Sequence, residues 1–336
     1  MAASESKVSI VIPNRDGATA RDGLVFLDMV RDTLAEQTFR DFEVIVVDNG
    51  SSDDSVAHIG ERWPDAGVVE LGENRGFSAA VNAGIAAGHG RYVALLNTDL
   101  ELSPDWLELL VTELDGDPGL GFATGKVMRY DDRGVIEQAG HDFYTCGRFE
   151  PRGLDERDEG QYDERRATPI VTAAAALYRR DALEAAGGFD EDYFLYCEDG
   201  DVCLRMLLLG YRGLYIPEPV AFHVRGGTVG AATSDLPRFF LIRNALITLF
   251  KDLPASVLVR SLPKIALYEW GQLAAGRREG YLRTVLRAYG SFLRSFWRTL
   301  RKRRAVQGRR AVSPTEFAAQ VRTDYPGDSR LGRFLR

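Results

Sequence analysis

The sequence predicts an α/β domain built on a mainly parallel sheet, followed by a helical C-terminal extension. Three observations carry this expectation. Short apolar runs at residues 8–12, 42–47 and 92–96 read as strands buried on both faces, as in a parallel sheet. Between them the spacing turns helical, with Leu24, Leu27, Val30 and Leu34 on one side, so the chain alternates strand and helix. After Val220 no further strand pattern follows, and Pro237, Pro254 and Pro263 mark starts or breaks of helices. The expected division is an α/β domain over 1–235 and a helical, basic extension over 236–336.

Strand one closes on Pro13, Asn14, Arg15 and Asp16, a polar turn at the carboxyl end of the sheet, where open α/β sheets bind ligands. Strand two ends on Asp48, followed by Asn49, Gly50, Ser51 and Ser52. A carboxylate there suits the ring N–H of a pyrimidine base; the same residues also make good turn and N-cap chemistry. The phosphate fingerprint of nicotinamide enzymes is missing from both early turns, which counts against that class. A third strand over 68–71 leads to a helix rich in small residues, where Asn82 and Gly84 suggest close packing on the sheet. Arg75, at its entrance, is placed for a base or a diphosphate.

The fourth strand delivers Asn97, Thr98 and Asp99 to the same edge. Asn97 and Asp99 lie two apart, so extended backbone points both side chains one way, toward one hard cation. The alternative is a polar turn, with Ser103 and Pro104 starting the next helix as N-cap and first residue. A strand over 121–128 is followed by a polar stretch, 131–166, read as loops and hairpins over the site. A buried strand is expected over 170–178, then a short helix stopped by Gly187 and Gly188.

An aromatic run, residues 193–196, brings Glu198 and Asp199 to the start of a helix ended by Gly210. Carboxylates there cap a helix, yet partial desolvation beside an aromatic wall also raises the basicity of Asp199 enough for a general base. Asp201 and Arg205, four apart, are expected to pair on the helix surface. His223 follows the last strand, where a lone histidine is either structural or a ligand.

At 336 residues and 45% hydrophobic, the chain has ample core, excluding disorder and multiple membrane spans. Three cysteines form no framework and the first residues lack a signal's apolar centre, so a cytoplasmic location is expected. Net charge is −7, but residues 277–310 hold twelve Arg and Lys against Glu279 alone. In residues 281–300 an aliphatic and aromatic face (Leu286, Leu293, Phe296, Trp297) adjoins an arginine stripe, fitting either an anionic membrane surface or docking on the domain.

Taken together, the motifs at residues 8–16, 44–53, 74–84, 95–107, 187–205 and 223 resemble, in order, the family-2 inverting glycosyltransferases, nearest their rhamnosyltransferase-like bacterial branch. The resemblance implies a GT-A nucleotide-binding α/β/α sandwich, a nucleotide-diphosphate sugar donor, a divalent cation (Mg2+ or Mn2+) and single displacement with inversion. It implies donor binding by Pro13, Asn14, Asp48, Arg75, Asn97 and Asp99, and metal binding by Asp99, Asn97 and His223. Glu198 and Asp199 match the family's Glu-Asp pair, with Asp199 as base. Asn97 stands where the Asp-x-Asp metal motif has its first acid, removing one negative charge from the metal site. Arg243, Asn244 and Lys251 resemble a motif of the following helix, read as structural or phosphate-facing. The implied reaction moves a sugar, with rhamnose the leading candidate, to a hydroxyl of a lipid-linked or cell-wall glycan acceptor. The expected setting is the inner face of the plasma membrane, reached peripherally through 277–310, with no nucleic-acid partner. The alternatives are a non-catalytic nucleotide-sugar-binding or scaffold protein and a sugar nucleotidyltransferase. The second would want a Gly-rich basic loop after strand one.

Overall fold

A computed structural model describes residues 6–20, 24–224 and 235–325. The apolar runs become strands, and Ser9 and Glu43, the polar residues within them, bond to each other across the first two strands at 2.8 Å. β1 (Val8–Asn14), β2 (Phe42–Asp48) and β3 (Gly67–Glu70) alternate with α1 (Phe26–Ala35), α2 (Ser55–Arg62) and α3 (Phe77–Ala87). β4 (Tyr92–Leu96) is buried along its whole length, and β5 (Leu100–Leu102), α4 (Trp106–Gly116) and β6 (Leu120–Arg129) follow. The helix expected to start at Ser103 and Pro104 begins at Trp106. Ser103 instead uses its hydroxyl to accept the Val220 amide at 3.2 Å.

The polar stretch after β6 forms short hairpin strands, β7 (Ile136–Gln138), β8 (His141–Phe143), β9 (Phe149–Pro151) and β10 (Arg166–Ala167). β11 (Ala175–Arg179), α5 (Arg180–Ala186), α6 (Glu198–Leu208) and β12 (Arg212–His223) complete the domain. The strand expected from residue 170 begins only at Ala175. Thr172 closes a turn before it, taking the Ala175 amide on its carbonyl at 3.3 Å.

The sheet runs β10-β12-β6-β11-β4-β1-β2-β3. β3, β2, β1 and β4 are mutually parallel, β11 runs against β4 and β6, and β12 is parallel to β6. The sheet is therefore mainly parallel, as the apolar runs predicted. Pro217 and Pro219 lie within β12 where its register against β6 shifts, since neither ring nitrogen can donate to the ladder. Gly84 of α3 sits hard against β1. A Cβ there would lie 2.3 Å from a Val11 methyl, so this helix needs its small residues to approach the sheet.

The extension is helical: α7 (Asp235–Asp252), α8 (Ala255–Glu279), α9 (Leu282–Gly308) and α10 (Pro314–Gln320). Pro263 lies inside α8 rather than starting or breaking a helix. Leu246, Leu249, Val257, Ile265 and Phe292 join the same buried cluster as Val11, Val93 and Leu204 of the sheet domain. α9 therefore has two sides. Val285, Ala288 and Phe292 dock, whereas Leu286, Leu293 and Trp297 are 53%, 66% and 77% exposed. Docking and an outward apolar stripe are not alternatives, because they use different residues. Truncation after Gly276 would strip α9 from this shared core, so loss of the folded domain is expected rather than retained activity. Among the described residues no helix is long and apolar enough to cross a membrane.

Candidate functional site

The carboxyl edges of β1 and β4, the turn before β11 and the start of α6 open on one cavity of about 1080 Å3. It is lined by Pro13 and Asn14, by Asn97 and Asp99, by Glu198 and Asp199, and by His223. Seven of the nine sequence-predicted site residues thus share one space. Asp48 lies 5% exposed beneath it, accepting from the Asn14 amide at 3.3 Å, the Ser51 backbone N–H at 3.2 Å and the Ser51 hydroxyl. Arg75 is exposed at its helix entrance and does not line the cavity, while Arg15 does.

Register brings Asp99 and His223 together. β5 pairs antiparallel with β12, Leu100 facing His223, and the Val224 amide donates to the Asp99 carbonyl at 3.0 Å. The His223 Nε2 lies 3.3 Å from Asp99 Oδ1, and its Nδ1 lies 2.9 Å from Glu137 on β7. Burial pulls the imidazole pKa down, but these two carboxylates outweigh it and hold it up to about 10. Glu137 was invisible in the sequence, because a three-residue strand gives no pattern to read. Its Oε2 is buried without a hydrogen-bond partner among the described residues.

Among the described residues no group of three or more His, Cys, Asp or Glu side chains is gathered for a metal. The implied set is two such groups, Asp99 and His223, with the amide of Asn97. A carboxylate and an imidazole 3.3 Å apart, the imidazole oriented by a carboxylate behind it, become a donor pair for a divalent cation once His223 gives up the proton that its two carboxylates hold. Anionic ligand oxygens would have to supply the remaining positions.

Across the cavity, the Ala173 N–H donates to Asp199 Oδ2 at 3.3 Å and the Gly200 N–H to Oδ1 at 2.7 Å. Burial raises the Asp199 pKa against those two bonds. Glu198 is 6% exposed, and its Oε2 has no hydrogen-bond partner among the described residues. Burial, then the charge of Asp199, pushes its pKa well above its ordinary value. Of the two, Asp199 is the one whose oxygens are oriented by backbone amides.

The loop carrying this pair is strained: Phe194, Tyr196 and Cys197 have φ of 63°, 68° and 67°. Each non-glycine residue there costs about 1–2 kcal/mol and persists only where neighbours over-determine it. The clamp is Asn244 of α7, fully buried, whose amide donates to the carbonyls of Tyr193, Leu195 and Tyr196 at 3.0, 2.8 and 2.7 Å. Arg243 supports it, donating to the Asn244 amide oxygen and to the Asp192 carbonyl, both at 2.8 Å. Asp201 and Arg205 do pair, at 2.6 Å, but in the interior rather than on the surface, since α7 packs over α6. Lys251, 1% exposed, joins them by pairing with Asp201 and, at 2.6 Å, with Asp190. Asn82 is structural, bonded both ways to the Phe189 backbone at 2.8 and 2.9 Å.

Residues 9–187 match the family model described as glycosyl transferase family 2. An uncharacterized protein, y4gI, of Sinorhizobium fredii is 32% identical over 242 residues, covering 66% of this chain and 25% of that protein. The N-acetylglucosaminyl-diphospho-decaprenol L-rhamnosyltransferase of Mycobacterium tuberculosis is 29% identical over 220 residues, 59% of this chain and 71% of its own. The chain thus spans a quarter of the first relative's length and most of the second's. Among solved structures, GalNAc-T7 with UDP, GalNAc and Mn2+ superposes with a TM-score of 0.60 at 14% identity, over 78% of this chain and 51% of that one. This likeness supports the GT-A fold.

Proposed function

The chain belongs to glycosyl transferase family 2, and we propose that it is an inverting glycosyltransferase that moves a sugar from a nucleotide-diphosphate donor to an acceptor hydroxyl. The observation that carries this is the shared cavity: Asp99 with His223 on one side, and a raised-pKa Asp199 on the other. Single displacement needs one base for the acceptor proton and an electrostatic partner for the leaving diphosphate, with no covalent intermediate. Asp199 takes the proton, its carboxylate oriented by the Ala173 and Gly200 amides. Asp99, Asn97 and a deprotonated His223 would hold a divalent cation, which would supply charge neutralisation to the leaving diphosphate. Asn14 fixes Asp48, the residue assigned to the nucleotide base, and Arg15 adds a cation at the cavity wall. The rhamnosyltransferase relative makes rhamnose the sugar of first choice, and a lipid-linked diphosphate sugar the acceptor of first choice. Screening UDP-, GDP- and dTDP-sugars by nucleoside diphosphate release tests the reading; release from none of them, with and without Mn2+, would end it.

Asp99→Ala is expected to abolish both Mn2+ binding, read by electron paramagnetic resonance, and Mn2+-dependent nucleotide binding, read by calorimetry. Unchanged Mn2+ affinity would remove Asp99 from the cation site.

The catalytic domain, residues 1–235, and the helical extension are proposed to work as one unit at an anionic leaflet. The outward face of α9 sets Leu286, Leu293 and Trp297 among Arg283, Arg287, Arg294 and Arg301, where each cation adds about 1 kcal/mol near such a surface. Leu293→Ser with Trp297→Ser is expected to abolish sedimentation with phosphatidylglycerol vesicles while leaving turnover of a soluble acceptor unchanged. Equal sedimentation of variant and wild type contradicts the membrane role.

A further inference from the structure

At about 1080 Å3 the cavity is at the upper limit of what one small ligand fills, roughly 300–1000 Å3. Its far wall does not come from the segment that matches the family model. It comes from α7 and α8, where Ile242, Tyr268, Glu269 and Gln272 line the space. Tyr268, Glu269 and Gln272 stand at i, i+1 and i+4, so one side of α8 turns a phenol, a carboxyl and an amide into the cavity. Glu269 is anchored rather than adrift. Its Oε2 accepts the Tyr289 hydroxyl of α9 at 2.6 Å. His141, also lining the cavity, has a buried Nδ1 with no partner among the described residues.

We propose that this wall, Tyr268, Glu269 and Gln272 of α8 together with His141, is the subsite for the acceptor's sugar ring, so that the helical extension reads the acceptor. The proposal rests on the glycosyl-transfer reading above. A neutral, hydroxylated ring fits the wall's chemistry. Burial pushes the Glu269 carboxyl up to about 7 against the Tyr289 bond, so it both donates and accepts near neutral pH. Burial also lowers the His141 pKa to about 4, leaving a neutral imidazole that does the same. Phe149 and Ile242, in the same lining, offer apolar contact for a ring face. The cation of this wall, Arg238, is stacked 3.7 Å over the Tyr281 ring.

The test is saturation-transfer NMR on the full chain with p-nitrophenyl β-N-acetylglucosaminide, α-L-rhamnoside and β-D-galactoside, with UDP, GDP and dTDP titrated in parallel. At least one glycoside should bind the wild type. Glu269→Gln and Gln272→Leu should each weaken that glycoside about tenfold, the loss expected for one hydrogen bond to a charged or polar partner, with nucleotide affinity within twofold. Gln272→Leu leaves the Glu269–Tyr289 tie intact, so it decides the matter if Glu269→Gln lowers the melting temperature. No glycoside bound by the wild type, or glycoside binding indifferent to both variants, overturns the subsite. Glycoside binding lost in the variants, with no nucleotide bound even by the wild type, upholds the subsite and removes the donor from the reading.

Discussion

Asp199→Asn should lower turnover about 10³-fold while donor affinity stays within a few-fold, because an amide keeps the shape of the carboxylate and loses the base. The effect is expected to be this large because the other carboxyls lining the cavity are engaged elsewhere, Glu269 of α8 with the Tyr289 hydroxyl at 2.6 Å. Burial and the charge of Asp199 push the Glu198 pKa well up, and Asp99 is engaged with His223. The Ala173 and Gly200 amides that orient Asp199 are backbone groups and remain in the variant. The check is single-turnover transfer beside calorimetric donor binding. Wild-type-like transfer by Asp199→Asn removes the residue from the role and places Glu198 next.

Lys251→Met should destabilise the protein by about 3 kcal/mol or more, the usual cost of stripping one partner from a buried ion pair. The ammonium is 1% exposed between Asp190 and Asp201, with Asp252 beside them. Burial pulls the Lys251 pKa down, but Asp201, Asp252 and Asp190 outweigh it and hold it charged. Asp252 is itself pushed well up by burial and Asp201. Asp190 is also shared with Lys302 of α9, so one network ties α6, α7 and α9. The sign of its pH dependence follows from Asp190. Burial raises its pKa, yet Lys251 and Lys302 hold it far below the usual 3.8, so its stabilisation is complete above about pH 4 and is lost as pH falls below that. Chemical denaturation at pH 7 and at pH 3 checks both points. Equal stability of variant and wild type at pH 7 would show that the network carries no net stabilisation.

The sequence disclosed what local pattern can disclose. The strand of residues 92–96 was legible because it is apolar throughout, and Asn97 and Asp99 were legible because they follow it directly. Glu198 and Asp199 stood out against the aromatic run before them. The Asp201–Arg205 pair was legible as spacing, but its burial depends on α7 arriving more than thirty residues later. Glu137 reaches His223 only through the β7–β6–β12 register, and nothing local to either residue signals it. The strained backbone at Phe194, Tyr196 and Cys197 gave no warning, since none is glycine. The residue that holds it, Asn244, was noticed only as part of a motif. Its three carbonyl partners lie 48 to 51 positions away, a distance that only the folded chain closes.

A single displacement driven by one base at Asp199 has one stereochemical outcome. The anomeric configuration of the transferred sugar, read from the one-bond C–H coupling of the product by NMR, should be opposite to that of the donor. A product that keeps the donor's configuration would require a covalent or front-face route and would contradict the account.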